Sequence, residues 1–356
     1  MPNMDTIIIG GGQSGLAAAR ALRHAGLAPV ILEAGERPTG SWAGYYDSLT
    51  LFSPARHSAM PGQDFPGDPD RYPTRDETVA YLESYAATLD VEIRTGTKVA
   101  TVESDGAGGF LVHTTAGETL RTRGIVAASG SFSNPYIPDL PGHFTGQSLH
   151  VAGYRNPKEY AGQRIVVVGG GNSAVQVGYE LAEVATVTLA TRQPVQFMPQ
   201  MVGGHDIHHW HTATGFDDLP PHWLARLAGG TLVLDTGDYA TALQAGRFDR
   251  RPMFTAFDGD EIVWADGTRE VVDTVIFATG YRPSLDYLRP LGALDAHGLP
   301  LQVEGLSTTH LGLAYVGLEF QRSFASNTLR GVARDAAHLA TPLAVYAGEA
   351  LAAYGF

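Results

Sequence analysis

The sequence predicts an α/β fold of two Rossmann-like dinucleotide-binding domains, the second inserted into the first, and three observations carry that expectation. An apolar strand at residues 6–9 runs into a glycine turn at 10–15 and an Ala-rich helix at 16–24. The same plan returns at 165–168, 169–174 and a helix through Val177 and Leu181. The chain is 356 residues long, and ordinary domain sizes divide such a length into about two units.

In the first unit, Gly10, Gly12 and Gly15 follow the strand and open the helix, and Glu33 ends the next strand, 18 positions after Gly15. The glycines permit a tight turn and close approach of backbone N–H groups to a pyrophosphate at the positive end of the helix. A carboxylate at the end of the second strand accepts hydrogen bonds from an adenosine ribose. This pattern suits FAD. Residues 38–73 are rich in Pro, Gly, Ser and aromatics without a period, which predicts long ordered loops. A helix then opens with Thr74 and Glu77 at capping-box spacing. Strands are expected at 91–95, 98–103, 110–114 and 124–128.

The second unit carries Gly169, Gly171 and Ala174, with alanine an accepted variant at the third position. Eighteen positions beyond Ala174 stands Arg192, so the count places a guanidinium where the first unit has Glu33. A carboxylate repels a ribose 2′-phosphate, whereas a guanidinium can bind it with two parallel hydrogen bonds. The expected ligand is NADPH, with Thr191 as a further donor. Residues 198–246 read as irregular, strands follow at 261–264, 274–278 and 314–318, and a helix is expected from about 327 to 340. The boundaries that result are 1–155 and 282–356 for the FAD domain and 156–281 for the NADPH domain.

The composition excludes several chemistries. With no cysteine, the sequence has no disulfide, thiolate metal site or redox-active dithiol. A formal charge of −13 opposes a polyphosphate backbone, so no nucleic-acid partner is expected. No segment approaches the ~18 consecutive apolar residues of a membrane helix, and Met1 leads into an apolar strand without a basic region or cleavage site, which predicts a cytoplasmic protein with no membrane partner. His205, His208, His209 and His211 lie in what reads as a loop, with no H-E-x-x-H spacing, so no metal is expected.

Between the two glycine turns, Phe144, Gly146, His150 and Tyr154 match F-x-G-x-x-x-H-x-x-x-Y. This resembles the flavin-containing monooxygenases, and the length is closest to their short bacterial members. Tyr154, where related Baeyer–Villiger enzymes usually carry Trp, favours the heteroatom-oxidising branch. Ser41 and Trp42 look like the family's flavin-side loop, Val99 sits where relatives contact the adenine through backbone, and residues 278–281 look like its A-T-G-Y linker, with 128–130 as a weaker copy. The resemblance implies an FAD-dependent monooxygenase that uses NADPH and O2, through a C4a-hydroperoxyflavin, to oxygenate a small soft nucleophile such as an amine nitrogen or sulfide sulfur. One position departs: Phe52 stands where the family loop carries an active-site Asn. The same motifs are also compatible with an NADPH oxidase, a ferredoxin-type NADPH reductase and a non-catalytic flavoprotein that senses NADPH or redox state.

Overall fold

In a computed structural model that describes residues 3–227 and 232–348, two parallel sheets form the framework. The first contains β1 (Asn3–Ile9), β2 (Pro29–Leu32), β3 (Glu92–Arg94) and β6 (Thr119–Ala127), with an antiparallel pair, β4 (Val99–Ser104) and β5 (Phe110–Thr114), hydrogen-bonded to β6. The strand Leu313–Tyr315 joins the free side of β6 in parallel. Alternate residues of β1 face opposite ways: Ile8 packs with Leu16 and Leu22 of helix α1 (Gln13–His24) and with Leu339 and Leu343 of the helix Val332–Ala347. Ile7 and Ile9 pack with Val102, Phe110 and Leu288 on the other side. Both faces are covered, which is why β2 is buried at all four positions.

The second sheet repeats the plan, in the order Asp249–Pro252, β9 (Thr186–Thr191), β8 (Arg164–Val168), Thr274–Phe277, β7 (Gln147–His150), all parallel. Helix α3 (Asn172–Leu181) covers one face, and an antiparallel sheet of three strands, Ala256–Asp258, Glu261–Val263 and Arg269–Val271, leads into the cluster on the other. β7 precedes the expected boundary at 155 yet pairs with Thr274–Phe277, so its residues join the second sheet. Two crossing segments lie side by side between the sheets: Tyr136 N–H donates to Gly280 O at 3.0 Å, Arg282 N–H to Asn134 O at 2.9 Å, and Ser284 N–H to Gly130 O at 2.8 Å.

Helix α2 (Arg75–Thr88) carries the capping box expected of Thr74 and Glu77. Three other expectations are corrected. Strand β6 starts at Thr119 rather than 124, because its first residues pair with β5 while its last pair with β1. The C-terminal helix starts at Val332, after turns such as Thr328 N–H to Ala325 O at 3.0 Å, and not at Asn327. The stretch read as irregular, 198–246, holds short strands and the helices Ile207–Ala213, Pro221–Leu227 and Asp238–Gln244, the first of which Asp206 caps through its bond from His208 N–H at 2.8 Å. No helix among the described residues is long and apolar enough to cross a membrane.

Candidate active site

A cavity of about 700 Å³ spans both units. Its wall includes Gly10, Gly12, Glu33, Ser41, Trp42 and Val99 from the first unit and Asn172, Ser173 and Gln176 from the first turns of α3. Helix α1 opens on this cavity from Gly12 with no side-chain cap and no acid in its first turn, and α3 opens likewise from Gly171. Helix α2, by contrast, has the donors of its first turn satisfied by a capping box. Uncapped N–H groups and the positive helix end favour an anion, so the donor set fits a pyrophosphate.

The glycines of the first turn have separable reasons. Gly10 has φ +109°, and a Cβ there would lie 2.6 Å from Ala128 O. Gly15 lies away from the cavity, in helix packing: its Cβ would lie 1.9 Å from Gly10 O. Gly12 has looser surroundings, its nearest atom 3.3 Å away at Gly40 Cα, and it borders the cavity. Glu33 is buried, with one carboxylate oxygen 2.5 Å from Gly11 N and the other 2.7 Å from Gly35 N. It therefore braces the turn as well as facing the cavity. Trp42 Nε1–H donates to Gln13 Oε1 at 2.7 Å, while Gln13 Nε2–H donates to Asn327 O at 2.7 Å. Gln13, hidden in a variable position of the glycine motif, thus ties three parts of the cavity wall together.

The second turn needs a correction of register. Gly10 N–H donates to Leu32 O and Gly169 N–H to Ala190 O. Ile9 pairs with Leu32, and Val168 with Ala190. The residue matching Glu33 is therefore Thr191, and Arg192 lies one position beyond it. The second unit is one residue shorter between its turn and the end of its second strand, so equal counting overshoots. Thr191 is buried and Arg192 exposed. Gly169, with φ +141°, abuts Ala278 O much as Gly10 abuts Ala128 O, and Ala174 is fully buried.

Phe144, Gly146, His150 and Tyr154 brace the second unit and lie outside the cavity wall. Phe144 packs on Phe257 with ring centres 5.2 Å apart, and a Cβ on Gly146 would meet the Phe144 ring at 2.6 Å. His150 accepts from Ala152 N–H through Nδ1 at 3.1 Å, which leaves Nε2–H to donate to Gly280 O at 3.0 Å. Tyr154 is fully buried and donates to Glu180 Oε2 at 2.8 Å. Tyr46 of the first unit packs on Tyr154 and donates to Gln176 Oε1 at 2.6 Å, which seats α3 against the cavity.

Phe52 lines the cavity and stacks on His208 with ring centres 6.0 Å apart. Behind it, Asp206 accepts from His208 Nδ1–H at 2.7 Å, Tyr72 OH at 2.6 Å and Gln200 Nε2–H at 2.6 Å. Burial alone would raise the Asp206 carboxyl, but these bonds outweigh it and hold it well below the usual carboxylate range. Arg330, also on the cavity wall, forms two bonds of 2.8 and 2.7 Å to buried Asp217. Among the described residues no group of His, Asp and Glu has the geometry of a metal site.

His211, buried beside this cluster, is pushed down to about 4 by burial first and then by His208 and Arg330, against a weaker pull from Asp217 and Asp206. Below pH 6.5 an unfolded chain takes up a proton that this folded site refuses until about pH 4. Its contribution to stability is thus complete above 6.5 and is lost as pH falls towards 4, an effect on the order of 3 kcal/mol. Denaturant unfolding at pH 7.5 and 5.0 should show a shallower acid loss for His211→Leu than for wild type. Equal losses would mean that His211 does not titrate in this way.

Comparison with known proteins follows the same outline. A family model described as pyridine nucleotide-disulphide oxidoreductase matches residues 7–202. An uncharacterized CzcO-like oxidoreductase of Geobacillus kaustophilus is 31% identical over 344 residues, covering 94% of this chain and 97% of that protein. Indole-3-pyruvate monooxygenase YUCCA1 of Oryza sativa subsp. japonica is 29% identical over 371 residues, covering 94% and 90%. A flavin-containing monooxygenase from Stenotrophomonas maltophilia superposes with a TM-score of 0.83 at 31% identity, covering 97% of this chain and 99% of that one.

Proposed function

The chain belongs to the pyridine nucleotide-disulphide oxidoreductase family, as a flavin monooxygenase working with FAD and NADPH, and on that premise we propose that it oxygenates a small soft nucleophile, an amine nitrogen or a sulfide sulfur. The observation that carries this reading is the shared cavity, which brings the glycine turn of one unit and the first turn of α3 in the other onto one wall. The net reaction consumes NADPH, a proton and O2, places one oxygen atom on the substrate, and releases NADP⁺ and water. The flavin, when bound, supplies the redox chemistry by accepting hydride and passing its electrons to dioxygen.

The protein's own groups have binding and positioning tasks in this reading. Gly10, Gly12 and the first N–H groups of α1 take the FAD pyrophosphate, Glu33 accepts from its ribose, and the Val99 backbone meets the adenine. Ser41 and Trp42 flank the flavin side, with Gln13 holding the tryptophan. Gly169, Gly171 and Ala174 form the corresponding NADPH turn, with Thr191 and Arg192 towards its ribose. Gly15, Phe144, Gly146, His150 and Tyr154 keep the units packed. With no cysteine in the sequence, hydride cannot pass on to a dithiol of this chain.

Phe52 favours a second reading, an NADPH oxidase that releases hydrogen peroxide, because an apolar ring cannot hydrogen-bond activated oxygen where the resemblance places an amide. One experiment separates the two: reduce the holoenzyme anaerobically with NADPH, mix it with oxygenated buffer and follow flavin absorbance together with peroxide. The monooxygenase reading expects the oxidised spectrum to return in two phases, with little peroxide when an amine or sulfide is present. A single phase with one peroxide per flavin, whatever substrate is added, would replace it with the oxidase.

A further inference from the structure

The register correction leaves a chemical gap at the second turn. Where Glu33 contacts Gly11 in the first unit, the matching residue Thr191 faces Gly170: a Cβ on that glycine would lie 3.7 Å from Thr191 Cγ2. Thr191 is thus aimed at the turn but carries no charge of its own. A guanidinium nevertheless stands beside it, supplied by the neighbouring strand. Arg250 Nε–H donates to Thr191 Oγ1 at 2.7 Å, and its Nη2 lies 3.5 Å from Thr191 O. The parallel pairing of Asp249–Pro252 with β9 sets this meeting, since Pro252 pairs with Thr191 and Arg250 with Leu189.

We propose that Arg250 is a ligand for the 2′-phosphate of NADPH, acting with Arg192 to select NADPH over NADH. The proposal rests on the reading of the second unit as the NADPH site. Two nearby arginines already have carboxylates: Arg247, three positions before Arg250, lies 3.6 Å from Glu183, and the adjacent Arg251 lies 2.9 Å from Asp266. Arg250 has no carboxylate partner among the described residues, and neither does Arg192, in a chain of net charge −13. The adjacent Asp249 carboxylate accepts from Arg250 backbone N–H at 2.7 Å. The Arg250 guanidinium is partly buried and, among the described residues, bonds only neutral oxygens of Thr191, so its charge is free to meet an anion. The Nε–H bond to Thr191 orients the fork and leaves its terminal nitrogens for a dianionic phosphate, which matches them bidentately. Thr191 accepts the Arg250 bond with its oxygen, so its hydroxyl hydrogen remains a donor to the same ligand.

The test is titration calorimetry of the oxidised holoenzyme with NADP⁺, NAD⁺ and 2′,5′-ADP. Arg250→Gln should weaken NADP⁺ and 2′,5′-ADP about tenfold to a hundredfold, the loss expected for one charged hydrogen-bonding group. NAD⁺ has no 2′-phosphate, and its affinity should stay within about twofold. Arg192→Gln should act in the same direction, the double variant should show no preference, and Arg250→Lys should regain part of the loss. Parallel weakening of NADP⁺ and NAD⁺ by Arg250→Gln would make Arg250 a strand brace and overturn the proposal. So would a wild-type preference for NADP⁺ that survives the substitution while Arg192→Gln removes it. Equal wild-type affinity for the two nucleotides would sink the NADPH reading and this proposal together.

Discussion

Gly15→Ala should yield protein that purifies without bound FAD and unfolds at lower denaturant than wild type. The fingerprint as a pattern tolerates alanine here, and the second unit of this chain has it in Ala174. The geometry of the first unit does not, because the new methyl carbon would lie 1.9 Å from Gly10 O, a backbone atom that cannot rotate away. Helix α1 must then move from β1, and its N-terminal donors move with it. Overpacking of this kind costs roughly 1–3 kcal/mol or more, which alone corresponds to about ten- to a hundredfold in an equilibrium. Gly12→Val is the contrasting variant: its surroundings are looser, so the apoprotein should stay folded while the side chain blocks the cavity. The ratio of flavin to protein absorbance and a denaturant melt distinguish the two cases. If Gly15→Ala retains wild-type FAD and stability, the close approach of helix and strand is not a constraint.

Asp217→Ala should be the most destabilising single change on the C-terminal side of the cavity. Its carboxylate and the Arg330 guanidinium have side chains 3% and 11% exposed. Burial alone would raise the Asp217 carboxyl, but the two bonds and the charge of Arg330 reverse this and leave it lowered. Removal of one partner strands the other charge away from water, at a cost of about 3–5 kcal/mol. The pair also joins the 3-10 turn Phe216–Asp218 to the turns before the last helix, so FAD retention should fall with stability. Asp217→Leu combined with Arg330→Met should recover most of the loss, since it removes both buried charges. Chemical denaturation of the single and double variants measures this directly. An Asp217→Ala protein as stable as wild type would show that water already compensates Arg330.

The parts legible in the sequence are those encoded by neighbours along the chain. A strand, glycine turn and helix announce themselves twice, and Thr74 with Glu77 marks the start of α2, because each feature depends on hydrogen bonds or packing within a few residues. Glu33 could be found for the same reason: the strand that carries it follows the first turn at ordinary spacing. Beyond that reach the count failed by one residue at Arg192, since a short connection altered the spacing while the interstrand bonds kept the register. The helix around His208 lies outside the sequence expectation because its cap, Asp206, is held in part by Tyr72 from a distant part of the chain.

The sequence by itself determined that two dinucleotide-binding units exist, where their phosphate-binding turns lie, and that thiol chemistry is absent. Only the tertiary structure decided which residues meet at those turns. Thr191 takes the place of Glu33 because β9 pairs with β8 through Ala190, and Arg250 reaches it from a strand whose position no local pattern records. Asp217 finds Arg330 and Tyr46 finds Gln176 across more than a hundred residues of chain. Such contacts depend on how sheets order their strands and on which faces remain to be covered, and these outcomes are settled by burial and hydrogen-bond satisfaction over the whole molecule.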